Sequence, residues 1–197
     1  GLGDVYKRQN VSTVREAMVL SNTNLGSGLS AAFTLSRNFK KGFAGSVSYA
    51  FNNTKDITSN PGSQAASAWS NNRTVGGNNA QELAISEYST PNRVIANISK
   101  KFEYGNRFAT TVSLVYDGYN PGRYSYVYST DINNDGLTGN DLLFVHASSD
   151  IKFSDLVIGT KTITAADQAA AWDAYVAQDK YLRAHKGQFV ERNGGLL

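Results

Sequence analysis

The run Asp131-Ile132-Asn133-Asn134-Asp135-Gly136 sets three oxygen-bearing side chains at alternate positions ahead of a glycine. That is the opening half of a calcium loop of the EF-hand type, in which carboxylate and amide oxygens gather around a hard cation at a sharp turn. The twelfth position of such a loop would be Leu142 instead of a bidentate Glu, and no flanking helices are evident in the sequence. Asp141 is the nearest substitute ligand. Asx-turn chemistry explains the same cluster without any metal, so Asp131, Asn133, Asp135 and Asp141 are candidates either for Ca2+ or for a turn network.

Four aromatic residues in segments rich in polar residues, Trp69, Tyr126, Trp172 and Tyr175, are candidate substrate contacts in loops. The plainer alternative is that they pin their own segments onto neighbours, since Trp and Tyr combine an apolar body with a polar handle. Catalytic chemistry is not expected. The two histidines, His146 and His185, lack a Ser or Asp constellation that would make a triad or a metal centre. With no cysteine there is neither a thiol nucleophile nor a disulfide framework.

The elements that would carry these loops are long alternating strands. Leu29–Phe39 and Phe43–Thr54 are separated only by Lys40-Lys41-Gly42, and Arg93–Tyr104 and Arg107–Gly118 only by Gly105-Asn106, whereas residues 55–92 lie between the pairs. Leu29, Ala31, Phe33 and Leu35 alternate with Ser30, Ala32, Thr34 and Ser36, and the three other runs repeat the period of two, with Ile95, Lys100 and Val115 out of pattern. Each run is about ten to twelve residues, enough for a tilted strand to cross a bilayer core and about twice a usual globular strand. Short turns at one end and long loops at the other are the plan of an outer-membrane barrel. Phe39, Phe43, Phe102, Tyr104 and Phe108 near the tight turns, and Tyr49, Phe51, Tyr116 and Tyr119 near the opposite ends, fall where such a barrel places its aromatic girdles.

Composition agrees with this class. The chain has 197 residues, 41% hydrophobic and 18% charged, with a mean hydropathy of -0.36 and no long apolar run. That excludes a transmembrane helix and leaves a transmembrane barrel open, because alternation hides hydrophobicity. A net charge of +3, with scattered Lys and Arg, gives no basic stripe for nucleic acid.

The expected fold is therefore all-β, a partial antiparallel transmembrane β-barrel with long extracellular loops and one loop helix. That helix is expected near 164–185: Thr164-Ala165-Ala166-Asp167 is a capping box, Ala169, Trp172, Tyr175, Val176 and Leu182 follow at helical spacing, and Gly187 ends it. Residues 10–119 are expected to hold the barrel strands, with short periplasmic turns and one long outer loop. Residues 120–197 are expected to form a large extracellular region with short strands and the helix. Residues 1–9, Gly-Leu-Gly-Asp-Val-Tyr-Lys-Arg-Gln, resemble a translated sequencing adaptor and are set aside as non-native. The chain is expected to be a fragment, since it has neither an initiator Met nor a signal segment and stops at Asn193-Gly194-Gly195-Leu196-Leu197 without a terminal strand.

Several segments in order carry a family resemblance: Pro121-Gly122-Arg123-Tyr124-Ser125-Tyr126-Val127-Tyr128, Asp131–Gly136, and Asn140-Asp141-Leu142-Leu143-Phe144-Val145. Further along come Trp172-Asp173-Ala174-Tyr175 with Gln178–Leu182, and Lys186–Gly194, while Ser63-Gln64-Ala65 with Ser67 and Trp69, and Asn92-Arg93-Val94, precede them. Together they resemble the late barrel region of TonB-dependent outer-membrane receptors of Bacteroidetes, of the Oar-like subgroup that carries a carboxypeptidase-regulatory-like domain. The resemblance implies a 22-stranded barrel with an N-terminal plug, located in the outer membrane, contacting its lipid and powered by the TonB-ExbB-ExbD complex. It implies active uptake of a substrate it does not identify. Two other classes remain: a passive porin or adhesion barrel, and a secreted calcium-stabilised β-sandwich that binds glycans.

Overall fold

A computed structural model of the chain describes residues 21–60, 62–105 and 107–196. The segment 1–9, the first part of the expected barrel region up to residue 20, and Asn106 of the second tight turn lie outside the described residues. Four long strands dominate: β1 (Ser27–Asn38), β2 (Phe43–Asp56), β4 (Asn92–Tyr104) and β5 (Phe108–Tyr119), with the two-residue β3 (Ala84–Ile85) added to the end of β2. They form an antiparallel sheet in the order β1-β2-β4-β5. Strand ends lie within about two residues of those expected, and the protein is mostly β with antiparallel sheets. Among the described residues no sheet closes on itself, and no helix is long and apolar enough to cross a membrane.

The turn between β1 and β2 is set by backbone chirality. Lys41 and Gly42 both have positive φ, 63° and 77°, and Phe39 N–H donates to Phe43 carbonyl at 2.7 Å to close the turn. A Cβ on Gly42 would lie 2.7 Å from the Lys101 carbonyl oxygen, so glycine is required both for its φ and for the approach of β4.

Register sorts the side chains. Directly opposed residues of an antiparallel pair point to the same side. Phe33 faces Tyr49 and Tyr49 faces Val94, while Leu35, Val47, Ala96 and Tyr116 form the next row and Ile98 and Leu114 another. On the reverse side Thr34 meets Ser48, Ser46 meets Asn97, and Ser99 meets Ser113. Ile95 and Val115 do fall on this polar face, and Tyr119 with them, so that aromatic residue is not part of the apolar side. Lys100, out of pattern in the sequence, lies on the apolar face at the turn end. Its ammonium sits 4.3 Å from the Phe43 ring centre and donates to the Lys41 carbonyl, so the stem lies along apolar surface while the charge reaches the turn.

No residue of β1, β2, β4 or β5 is buried. Phe33, Leu35 and Leu114 are 70%, 73% and 70% exposed, so nothing among the described residues covers the apolar face.

The core lies instead in a cap built from residues 55–91 and 120–196, all attached at the end of the sheet opposite the tight turns. Residues 55–92, expected as one long loop, carry helix α1 (Ala65–Ser70) and β3. Beyond β5 come β6 (Arg123–Tyr124), a hairpin of β7 (Leu156–Ile158) and β8 (Lys161–Ile163), helices α2 (Ala165–Gln178) and α3 (Lys180–Ala184), and β9 (Gly195–Leu196), which pairs with β6. Leu142, Leu143, Val145, Val176, Leu182 and Val190 form the buried cluster, with Trp172, Tyr126 and Tyr181 packed on it. Segment 140–145 runs through its middle, bonded to Thr74 on one side and to Tyr126 and Tyr128 on another.

The single expected helix is two. Thr164 caps α2 with the anticipated box, but Asp179 leaves helical geometry at φ -106°, ψ 124° and its carboxylate accepts from the N–H groups of Tyr181 and Leu182. A side chain that caps a new helix start ends the old one. The tyrosine-alternating stretch 123–128 is likewise strand only at Arg123–Tyr124, with an isolated bridge at Val127.

Candidate functional site

The loop 131–141 is held by its own polar side chains. Asp131 accepts from Asp135 N–H at 3.2 Å and from Gly136 N–H at 2.9 Å, Asn133 Oδ1 accepts from Asp135 N–H at 2.9 Å, and Asp135 Oδ1 accepts from Leu137 N–H at 2.8 Å. Asn134 and Gly136 take positive φ to make this possible. Asp141 belongs to the same cluster, its Oδ2 accepting from Ile132 N–H at 2.7 Å. Leu142, at the position where a calcium loop would carry Glu, is buried in the cap core. Among the described residues no three His, Cys, Asp or Glu side chains converge as metal ligands on their own.

Sequence reading passed over Asn140, which is 1% exposed and bridges two loops: its Nδ2 donates to Asp135 Oδ2 at 3.1 Å and to Asn78 Oδ1 at 3.2 Å. Asn78 in turn donates to the Trp69 carbonyl at 2.6 Å, and Trp69 Nε1 donates to Asn79 at 2.9 Å. Trp69 is thereby fixed to its own loop.

Three of the four candidate aromatics come together and one does not. Tyr126 meets Tyr175 edge-on at 6.3 Å, and Tyr175 lies 6.2 Å from Trp172. Trp172 Nε1 donates to the His146 carbonyl at 2.9 Å, which makes it an anchor of α2 on segment 140–146. Tyr126 is stacked on Tyr181, and its hydroxyl donates to Asp179 Oδ2 at 2.5 Å, with the Tyr124 hydroxyl adding a second bond at 3.3 Å. The Tyr126 hydrogen bond, with the two backbone N–H groups at the helix start, holds the Asp179 carboxyl below the usual carboxylate range. Burial, and then the bond to Asp179, pushes the Tyr126 phenol well above its ordinary value. Asp179 is thus an ionised acceptor and Tyr126 a protonated donor at neutral pH, a structural pair with no proton to exchange. Of the aromatic group Tyr175 is the most open to solvent, 41% exposed.

Both histidines serve the fold. His185 Nδ1 lies 2.8 Å from the Tyr181 carbonyl and its ring is against that of Tyr181, while the His146 ring packs on Phe144.

The strongest fixture of the cap is Arg192, 4% exposed. Its guanidinium donates to the carboxylate and carbonyl of Asp56 at 2.7 and 2.6 Å, to Asn72 Oδ1 at 2.7 Å and to the Ile57 carbonyl. Burial draws its pKa down, offset in part by Asp56. Asn193, at φ 57°, donates to the Ile85 carbonyl, and Arg123 spans the Ser89 and Asn193 carbonyls. These contacts tie the far end of the chain to the end of β2. The cleft beside Arg192 has room for about one water, too little for an organic ligand.

No protein-family model, no curated protein and no solved structure matches the chain.

Proposed function

We propose that this chain is part of the wall and extracellular cap of a TonB-dependent outer-membrane transporter, with β1, β2, β4 and β5 as membrane-spanning strands of a larger barrel. The observation that carries this reading is a long four-stranded sheet with one apolar and one polar face and no buried residue on either. An ordinary sheet must pack at least one face to be stable. A barrel wall has lipid on one side and a polar lumen on the other. The fixed positions of Lys100 and Arg37 support it: both cations lie at the tight-turn end against Phe43, Phe102 and Phe39, where side chains at a membrane boundary extend toward water. The outer edges of β1 and β5, which pair with no strand among the described residues, would pair with the next strands of the barrel.

Active uptake, as opposed to passive flow, rests on the resemblance of the ordered segments between residues 63 and 194 to that receptor family. Coupling to the TonB-ExbB-ExbD complex would run through a plug and TonB box outside this chain, and the substrate is of unassigned class. Membrane fractionation of the full-length protein is the first test, with recovery in the outer membrane, released only by detergent, as the expected result. Recovery in the soluble fraction would overturn the barrel and favour a secreted sandwich. Uptake that survives a protonophore would retain the barrel and reject TonB coupling in favour of a passive pore.

A further inference from the structure

We propose that the loop 131–141, together with Asn140 beneath it, binds one calcium ion that holds the two halves of the cap together. The proposal does not depend on the transport reading. The hydrogen bonds inside the loop are those of a chain of Asx turns and would by themselves argue for nothing more. What they leave unexplained is the floor of the loop. Asn140 is 1% exposed and its amide is turned into the loop, with Nδ2 on Asp135 Oδ2, yet its Oδ1 has no partner. Asp141 is 4% exposed and turned toward the same loop by its bond from Ile132 N–H, yet its Oδ1 has no partner either.

Two acceptor-only oxygens on adjacent residues, Asn140 Oδ1 and Asp141 Oδ1, are therefore buried without a partner where their side chains meet the loop. A buried acceptor without a donor is expensive, more so for a carboxylate. None of the ion pairs among the described residues involves Asp131, Asp135 or Asp141. A water molecule would satisfy the oxygens and leave the negative charge uncompensated. A hard divalent cation does both.

Calcium fits better than the alternatives. The ligand set mixes carboxylates of Asp131 and Asp135 with amides of Asn133 and Asn140 and the carboxylate of Asp141, an irregular oxygen shell suited to an ion that takes about six to eight ligands. Magnesium demands near-octahedral geometry, and the loop offers no His or Cys for zinc. Since the three carboxylates do not form a ready-made cage, amides, water and the carbonyl of the seventh position, Leu137, complete the shell. That places the affinity in the range of extracellular modules, Kd about 10⁻⁴–10⁻³ M. The consequence for the fold is specific. Segment 140–142 exchanges backbone hydrogen bonds with Thr74 on one side and Tyr128 on the other, and Asn140 reaches Asn78, so an ion under Asn140 fastens the 72–80 loop to the 126–145 core.

The test is calorimetric titration of the purified full-length protein with CaCl2 and, separately, with MgCl2, alongside limited proteolysis with and without EDTA. One calcium per chain in the stated range, slower cleavage within 72–80 and 131–141, and no equivalent effect of magnesium are expected. Asp135→Ala and Asn140→Ala should each weaken calcium at least about tenfold. Asn133→Asp should tighten it, which distinguishes a ligand from a merely structural residue and keeps the proposal testable if the alanine variants misfold. An absence of binding up to about ten times the stated range, magnesium acting as well as calcium, or an affinity indifferent to Asn133→Asp would each overturn the site.

Discussion

Replacing Arg192 by methionine removes four hydrogen bonds at once and leaves the Asp56 carboxylate facing an apolar chain. Breaking a buried ion pair from one side costs about 3–5 kcal/mol, so Arg192→Met should destabilise the cap by on the order of 3 kcal/mol, read as a lower urea midpoint of Trp fluorescence. Arg192→Lys should recover little, because a single ammonium cannot span Asp56 and Asn72 as the planar fork does. A second residue-scale prediction concerns acid. Asp179 has its carboxyl held below the ordinary range by Tyr126 and by the start of α3, so its stabilising effect is complete above the unfolded value of about 3.9 and is lost as pH falls through the lower folded value. The cap should therefore weaken below about pH 4, and Asp179→Asn should flatten that dependence in urea melts taken across the acid range. Neither residue announced itself equally in the sequence. Asp179 stands directly before Lys-Tyr-Leu and carries the mark of a helix start, obscured because the apolar spacing continues across it. Arg192 has no local signature, since its three partner residues, Asp56, Ile57 and Asn72, all lie more than a hundred positions earlier in the chain.

At the scale of the element, the long strands were legible because a period of two is written in consecutive residues: Leu29, Phe33 and Leu35, or Val112 and Leu114, mark their face without any tertiary information. Register carries that alternation across the sheet, since a slip of one residue would turn a whole strand's apolar set to the wrong side. The cap was not legible in this way. Its core joins Leu142, Val176 and Val190 through short bridges such as Val127 to Leu142 and Phe144 to Phe189, and irregular segments bonded over long separations leave no periodic trace. The face assignment makes a quantitative prediction. If the apolar side meets lipid, Leu114→Arg should cost about 2–4 kcal/mol at the midplane, while Ser113→Arg, one residue along and on the other face, should cost little. Urea unfolding of the full-length protein from lipid vesicles compares the two variants directly. Equal penalties at Leu114 and Ser113 would mean that both faces meet the same surroundings, and the barrel assignment of β5 would fail.

At the scale of the whole molecule, every buried residue among those described belongs to the cap end, and the tight turns lie at the other. Such polarity has a direct consequence if the strands cross the outer membrane, because short turns close the periplasmic end of a barrel and long segments face outward. Lys40–Gly42 and Gly105 should then lie in the periplasm, and residues 55–91 and 120–196 outside the cell. Gly139 is a suitable outer marker: it has a φ of 76°, and a Cβ built there meets nothing, so space around it is open, although a tag there needs the loop to keep its turn. Gly77, at φ 90° with the same open surroundings, provides a second outer position, on the 72–80 loop. An epitope inserted after Gly77 or Gly139 should bind antibody on intact cells, whereas one inserted after Lys40 should bind only after permeabilisation. The cap is also a folded unit with its own core, so protease added to intact cells should cut first at exposed apolar Leu156–Ile158 of the β7-β8 hairpin and only slowly at 140–145, whose side chains are mostly buried. Antibody access at Lys40 on intact cells, with Gly77 and Gly139 silent until permeabilisation, would reverse the topology and place the cap in the periplasm.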